Sequence, residues 1–285
     1  TTATGRKLLY LAKEKVEEKF EGAKIVYGDT DSIFINFNPP SQGREGLKES
    51  IDMGLRAEEY IQQFLKPPHK LEYEKTFWPF ILISKKRYTG DKYEFSTEDC
   101  KRTSMGIVLK RRDNAPIVKH VFGNVIEKIM IEKNFESALE WLKQTLSEIR
   151  DAQFSNRYFV ITKSLRGYYK NPQSIAHKVL ADRIGERDPG NRPKAGDRIP
   201  YVYKKLSYDE LYDKNSLYKS GPRKGTPRCK SILQGHRIES PKYVLDNNII
   251  LDYSFYISNQ IMKPVEQVLE LDVNYNKGVF QKFIE

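Results

Sequence analysis

The sequence predicts an α+β fold: an antiparallel sheet with helices first, then a mainly helical part. Three observations lead there. A helical period (Leu9, Ala12, Val16, Phe20) gives way to an apolar stretch, 24–37, broken only by Gly-Asp-Thr-Asp. A second β pattern over 71–93 is aromatic and β-branched, with no helical period. From 116 onward two apolar stripes return at helical spacing, Val118, Phe122, Val125, Ile129 and then Phe135, Leu139, Leu142, Leu146, Ile149.

In chain order, 1–20 reads as an amphipathic helix and 24–37 as strand, tight turn, strand. Pro39 to Gly46 reads as a loop. A helix over 47–65 turns Leu47, Ile51, Leu55, Ile61 and Leu65 inward and is ended by Pro67-Pro68. The β region follows, with Pro79 at an edge or bend, then a basic irregular stretch to Asn114. After the two helices from 116, a short strand is expected at 157–163 and a helix at 173–187. Turns follow at Asp188-Pro189-Gly190 and Gly196-Asp197. Residues 204–240 are rich in Lys, Tyr, Ser and Gly with little periodicity and read as a mobile basic insertion. A last helical region, 250–270, is interrupted at Pro264. The expected domains are 1–114 and 115–285.

With 285 residues and 39% hydrophobic content, a real core is available without stapling. Forty-nine basic against 38 acidic residues give a net charge of +11. Such an excess favours a polyanion partner, nucleic acid first, over a basic protein with no such partner. The two cysteines, Cys100 and Cys229, form no C-x-x-C pair, so no zinc or iron–sulfur site is suggested. No apolar run approaches the ~18 residues of a membrane span, and no signal peptide is recognisable. The start at Thr1, inside a helix and without Met, reads as that of a fragment or of a trimmed or processed piece.

Asp29 and Asp31 lie two residues apart, a spacing that puts side chains on one face of a strand. At a hairpin tip their carboxylates are expected to reach a shared ion. Carboxylate oxygens select hard cations such as Mg²⁺, and a pair of such ions suits nucleotidyl transfer. Gly28 is expected to permit a backbone shape that a side chain would hinder, and Ile25-Val26 and Ile33-Phe34-Ile35 to bury the strands. Asp, Thr and Gly are also ordinary turn residues, so a bare D-x-D is weak. Six specific residues between two apolar strands are much stronger.

Tyr27-Gly28-Asp29-Thr30-Asp31-Ser32 resembles the C motif of family B DNA polymerases. Further stretches agree in order. Thr2 to Arg6 resembles the palm helix after the fingers, Leu71-Glu72-Tyr73-Glu74-Lys75 an L-E-x-E-K strand, and Ser84 to Tyr88 the K-K-R-Y motif. Lys110 to Asn114 resembles the basic segment leading into the thumb. Arg187 to Gly190 and Gly196 to Val202 resemble thumb motifs of the delta-like branch. The likeness covers nearly the whole chain except 204–240, and that insertion leans toward a large DNA virus.

The resemblance implies part of a polymerase palm followed by a mainly helical thumb. It implies a DNA-directed DNA polymerase working with two Mg²⁺ ions. Asp31 is then the metal ligand, Asp29 a weaker one and Glu74 an acidic neighbour; Thr30 is a nucleotide-binding candidate. The other essential Asp belongs to an upstream segment, so the site is expected to be completed from outside this stretch and the isolated chain to be inactive. Lys85, Lys86, Arg87 and Tyr88 would hold the primer end, and Lys110, Arg111 and Arg112 phosphates. Lys163, Arg187 and Arg198, with Arg183, Arg192 and Lys194, would meet duplex. The implied partners are primer–template DNA, deoxynucleoside triphosphates, the upstream part of the polymerase in the same or a separate chain, and a sliding clamp. The implied setting is intracellular, in a nucleus or viral replication site, without a membrane. The rival reading is a non-catalytic DNA-binding subunit of a split polymerase.

Overall fold

The computed structural model describes residues 2–110 and 113–284. The chain divides into two compact units, 1–110 and 111–285, and its α+β character is borne out in both.

In the first unit, helix α1 (Thr2–Lys19) turns Ala12 and Val16 to one side, and Phe20 follows just past its end. They pack on Ala57 and Ile61 of α2 (Gly43–Gln62), with Phe37 and Leu65 closing the core. Between the helices runs the hairpin β1 (Lys24–Asp29) and β2 (Ser32–Asn36), whose Ile25, Ile33 and Ile35 lean on the same core. A register shift between Ile25 and Tyr27 leaves Val26 exposed, contrary to its expected burial. Helix α2 begins at Gly43, not Leu47. The Glu49 side chain, in its second turn, accepts from the N–H and hydroxyl of Ser41, at 3.3 and 2.6 Å. Gly46 lets the chain fold back, since a Cβ there would lie 2.3 Å from the Ser41 carbonyl oxygen.

The second sheet is β3 (Thr76–Ser84), β4 (Arg87–Tyr93) and β5 (Lys101–Met105), all antiparallel with β4 central. Two corrections apply. Residues 71–75 are not a strand: the Tyr73 N–H donates to Glu58 at 2.8 Å and its hydroxyl to the Glu94 carbonyl at 2.7 Å. Strand β5 lies where irregular chain was expected. Its Lys-Arg-Thr-Ser-Met sequence lacks an apolar alternation because it is an edge with little to bury.

The second unit opens with an antiparallel helix pair, α3 (Pro116–Glu132) and α4 (Phe135–Arg150). Lys133 turns with φ 51°, and Asn134 caps α4 by accepting from the N–H groups of Glu136 and Ser137. The remaining strands and helices, β6 (Ile161–Ser164), α5 (Ala176–Arg187), β7 (Arg198–Tyr203), α6 (Tyr208–Leu211), β8 (Tyr212–Leu217), β9 (Pro227–Cys229) and β10 (Ile238–Glu239), give a sheet of order β10-β7-β6 and a separate β8–β9 hairpin. The chain closes with α7 (Pro241–Asp246), α8 (Tyr253–Phe255), a π-turn at Tyr256–Ile261, α9 (Met262–Leu269) and α10 (Gln281–Ile284). Buried Tyr256 ties this end to the sheet: its hydroxyl donates to the Phe159 carbonyl at 2.7 Å and accepts the Tyr203 N–H at 2.9 Å.

The stretch 204–240 is not without structure. It holds α6, with a Ser207–Glu210 capping box, the β8–β9 hairpin and β10. Its last residues belong to the core, because Gly235, Ile238 and Glu239 are buried.

Candidate functional site

The site begins with an aromatic platform. Tyr27 of β1 and Phe34 of β2 meet Phe77, Phe80 and Tyr88 of the second sheet, ring centroids 5.2–6.4 Å apart. This joins the two hairpins by their side chains and fixes the tip of each against the other.

Asp29 pairs with Ser32 to close the first hairpin, so Thr30 and Asp31 form a two-residue turn, with Thr30 at φ 31°. Asp31 is therefore in the turn and not on the strand, and the shared-face argument for Asp29 and Asp31 does not apply. Gly28 is also not what allows the turn: a Cβ there would sit 3.7 Å from the Ser32 carbonyl oxygen, an ordinary contact.

The two carboxylates differ. Half-buried Asp29 is 3.0 Å from Lys86 Nζ and accepts the Thr30 hydroxyl at 3.1 Å. The Lys86 ammonium, first, and the Thr30 hydroxyl hold its carboxyl below the usual range. Lys86 is raised in turn by Asp29. Asp31 is exposed and, among the described residues, has no hydrogen-bond or ion-pair partner.

Lys85 and Lys86 are the turn between β3 and β4, not strand residues, because Ser84 pairs with Arg87. Lys86 has φ 59°, and its N–H donates to the Tyr27 hydroxyl at 2.8 Å. Gly106 lies beneath, at φ 62°, so close that a Cβ would be 2.1 Å from the Lys86 carbonyl oxygen. Lys85 is exposed, Arg87 half-buried, and the Tyr88 ring is buried in the platform. Tyr27 as the link between the hairpins escaped the sequence reading; its signal was an aromatic residue placed two before Asp29. Glu74 is exposed and ion-paired with Lys75. Among the described residues no three His, Cys, Asp or Glu gather as a metal cluster.

In the second unit, Lys163 on β6 is exposed and Arg198 on β7 donates to Ser164 Oγ at 3.3 Å and the Thr162 carbonyl at 3.2 Å. Arg187 is engaged elsewhere. Its guanidinium donates twice to buried Glu239, at 3.1 and 3.0 Å, and lies over the Tyr243 ring at 3.7 Å. Arg183 approaches the same carboxylate at 3.4 Å and donates to the Gly235 and Ile238 carbonyls. The Arg192 side chain lies across Gly185, where a Cβ would be 2.6 Å from its Cγ, and Lys194 is exposed. His177 bonds Tyr169 Oη at 3.1 Å, and burial lowers its pKa. Arg111, Arg112 and the Lys110 side chain, named as phosphate contacts, lie outside the described residues.

Among the described residues no helix is long and apolar enough to cross a membrane. The family model for DNA polymerase family B matches residues 1–271. The chain is 46% identical to the DNA polymerase of Pyramimonas orientalis virus, covering 95% of this chain and 21% of that protein. It is 41% identical to the DNA polymerase of Acanthamoeba polyphaga mimivirus, over 92% of this chain and 14% of that one. It is 33% identical to the DNA polymerase delta catalytic subunit of Caenorhabditis elegans, over 94% and 23%. The chain thus spans a quarter or less of the length of the curated relatives it matches. The family model spans all but the last fourteen of the 285 residues: the chain belongs to DNA polymerase family B.

Proposed function

We propose that the first unit is palm and supplies one carboxylate wall of a DNA polymerase active site, and that the second is thumb and binds the primer–template duplex. The observation that carries this reading is Asp31: a carboxylate that is exposed and, among the described residues, unpartnered, on a turn between two strands whose Ile25, Ile33 and Ile35 lean on the core. Its oxygen donors fit Mg²⁺, with Asp29, the last residue of β1, as a second donor beside the turn. Asp31 and Asp29 would hold such ions together with carboxylate from outside this stretch, and the ions would supply Lewis-acid stabilisation of the phosphoryl centre being transferred.

The chain's own residues do the rest. Asp31 is open to solvent. Lys86 neutralises Asp29, so that one uncompensated charge, not two, faces the metal. Lys85, at the neighbouring turn, is free to meet the primer backbone or the minor-groove acceptors, which are nearly alike for every correct pair. The buried Tyr88 ring supports that turn by packing, and Arg187 supports the thumb through Glu239.

The test is Asp31→Asn in a full-length polymerase carrying this stretch. Primer extension should fall about 10³-fold, roughly 4 kcal/mol in the barrier, with duplex affinity retained. Turnover within about tenfold of the parent would remove Asp31 from the chemistry.

A further inference from the structure

The positive charge of this chain is concentrated in one place. Residues 214–238 contain seven Lys and Arg and no Asp or Glu, so these 25 residues supply +7 of the net +11 and the other 260 residues only +4. Three of the seven are tied back. Lys214 meets Asp209 at 2.6 Å, Lys230 donates to the Asp209 carbonyl at 2.7 Å, and Arg237 meets Asp252 at 3.3 Å. Arg228 lies over the Tyr218 ring at 5.6 Å. Lys219, Arg223 and Lys224 remain, exposed and, among the described residues, without a carboxylate partner.

These three stand at the tip of the β8–β9 hairpin, and the tip has a defined backbone. The Tyr218 N–H donates to the Thr226 carbonyl and the Gly225 N–H to the Tyr218 carbonyl, both at 3.0 Å. Inside them a second turn forms, with the Lys224 N–H donating to the Gly221 carbonyl at 3.0 Å. Gly221 and Gly225 both take φ 80°, which a larger residue would resist. The Thr226 hydroxyl donates to the Arg223 carbonyl at 2.7 Å.

The chemistry of the tip selects its partner. From 219 to 226 Pro222 is the one apolar side chain, so a protein partner would find no anchor to desolvate. Cations among glycine and short hydroxyl side chains are the composition that meets phosphate oxygens without reading bases. We propose that the β8–β9 hairpin is an additional DNA contact, in which Lys219, Arg223 and Lys224 each neutralise a phosphate of duplex DNA. This rests on the polymerase reading above for the identity of the polyanion.

The experiment compares the 285-residue chain with a variant carrying Lys219→Ala, Arg223→Ala and Lys224→Ala. Binding to a labelled duplex of about 30 base pairs is followed by fluorescence anisotropy between about 50 and 200 mM salt. The variant should bind at least about tenfold more weakly at the lowest salt. Its plot of log affinity against log salt should be shallower by about 2 to 3, since each phosphate contact contributes about 0.9. A charge-keeping variant, Lys219→Arg with Lys224→Arg, should retain the parent slope, which separates charge from folding. If the parent binds and the triple variant keeps its slope and affinity, the hairpin proposal is wrong while the DNA reading stands. If the parent itself shows no salt-dependent binding, both are wrong. If the triple variant loses binding to poly-glutamate but not to duplex, the hairpin serves an acidic polypeptide and the proposal is overturned.

Discussion

Asp29 and Asp31 show how far one residue's surroundings separate two identical side chains. Both were visible in the sequence as a carboxylate pair. The resemblance ranked them, but the ion pair that sets them apart was not visible, because it depends on Lys86, which is 57 positions from Asp29 and reaches it through a turn at positive φ that Lys rarely adopts. The same holds for Arg187: the sequence reads it as a phosphate contact, and its tie to buried Glu239, 52 positions on, shows only once the two are placed side by side. His177 offers a test at this scale. Burial first, and the Lys163 charge second, depress its pKa. The unfolded chain therefore takes up the proton more readily than the folded one, and stability falls as pH drops through the ordinary histidine value of about 6.5. Denaturant unfolding at pH 8 and pH 5 should show a larger loss for the parent than for His177→Gln. Equal losses would mean that His177 is not the group responsible.

At the scale of elements, the stretches with a strong apolar period were legible: α1, the first hairpin, α3, α4 and α5 all form where the pattern places them. The elements that escaped are those whose backbone partners, not side chains, decide them. Strand β5 has no alternation to read, and 71–75 looked like strand until Glu58 and Glu94 were found to take the bonds of Tyr73. The β3–β4 turn is of the same kind, held from below by Gly106. Gly106→Ala should cost about 3 kcal/mol, since a left-handed backbone costs about 1–2 kcal/mol in an L residue and the Cβ must also displace the Lys86 carbonyl. Gly22→Ala is the control. It too has a positive φ, 80°, but a Cβ there has nothing nearer than 4.0 Å, so its cost should stay near 1 kcal/mol. Urea unfolding measures both, and equal costs would show that the close approach at Gly106 does not hold the turn.

At the scale of the whole molecule, net charge predicted a polyanion partner but said nothing of where it would bind. Residues 1–110 carry nineteen basic and seventeen acidic side chains, whereas 111–285 carry thirty and twenty-one. The first unit is thus nearly neutral at +2 and the second holds +9. On the proposed reading a duplex would be drawn to the second unit, whose exposed cations, Lys163, Lys194 and those of the β8–β9 tip among them, have the chemistry of backbone contacts. Such contacts position a duplex but carry no sequence information. Duplexes of equal length and unrelated sequence should therefore bind this chain within about threefold of one another at fixed salt. Their affinities should all fall steeply, by about 10³-fold, between 50 and 200 mM salt if some six phosphates are met. Competition binding with a panel of duplexes measures this directly. A sequence preferred by more than about tenfold at every salt concentration would require base-edge contacts, and backbone charge alone would then no longer account for the binding.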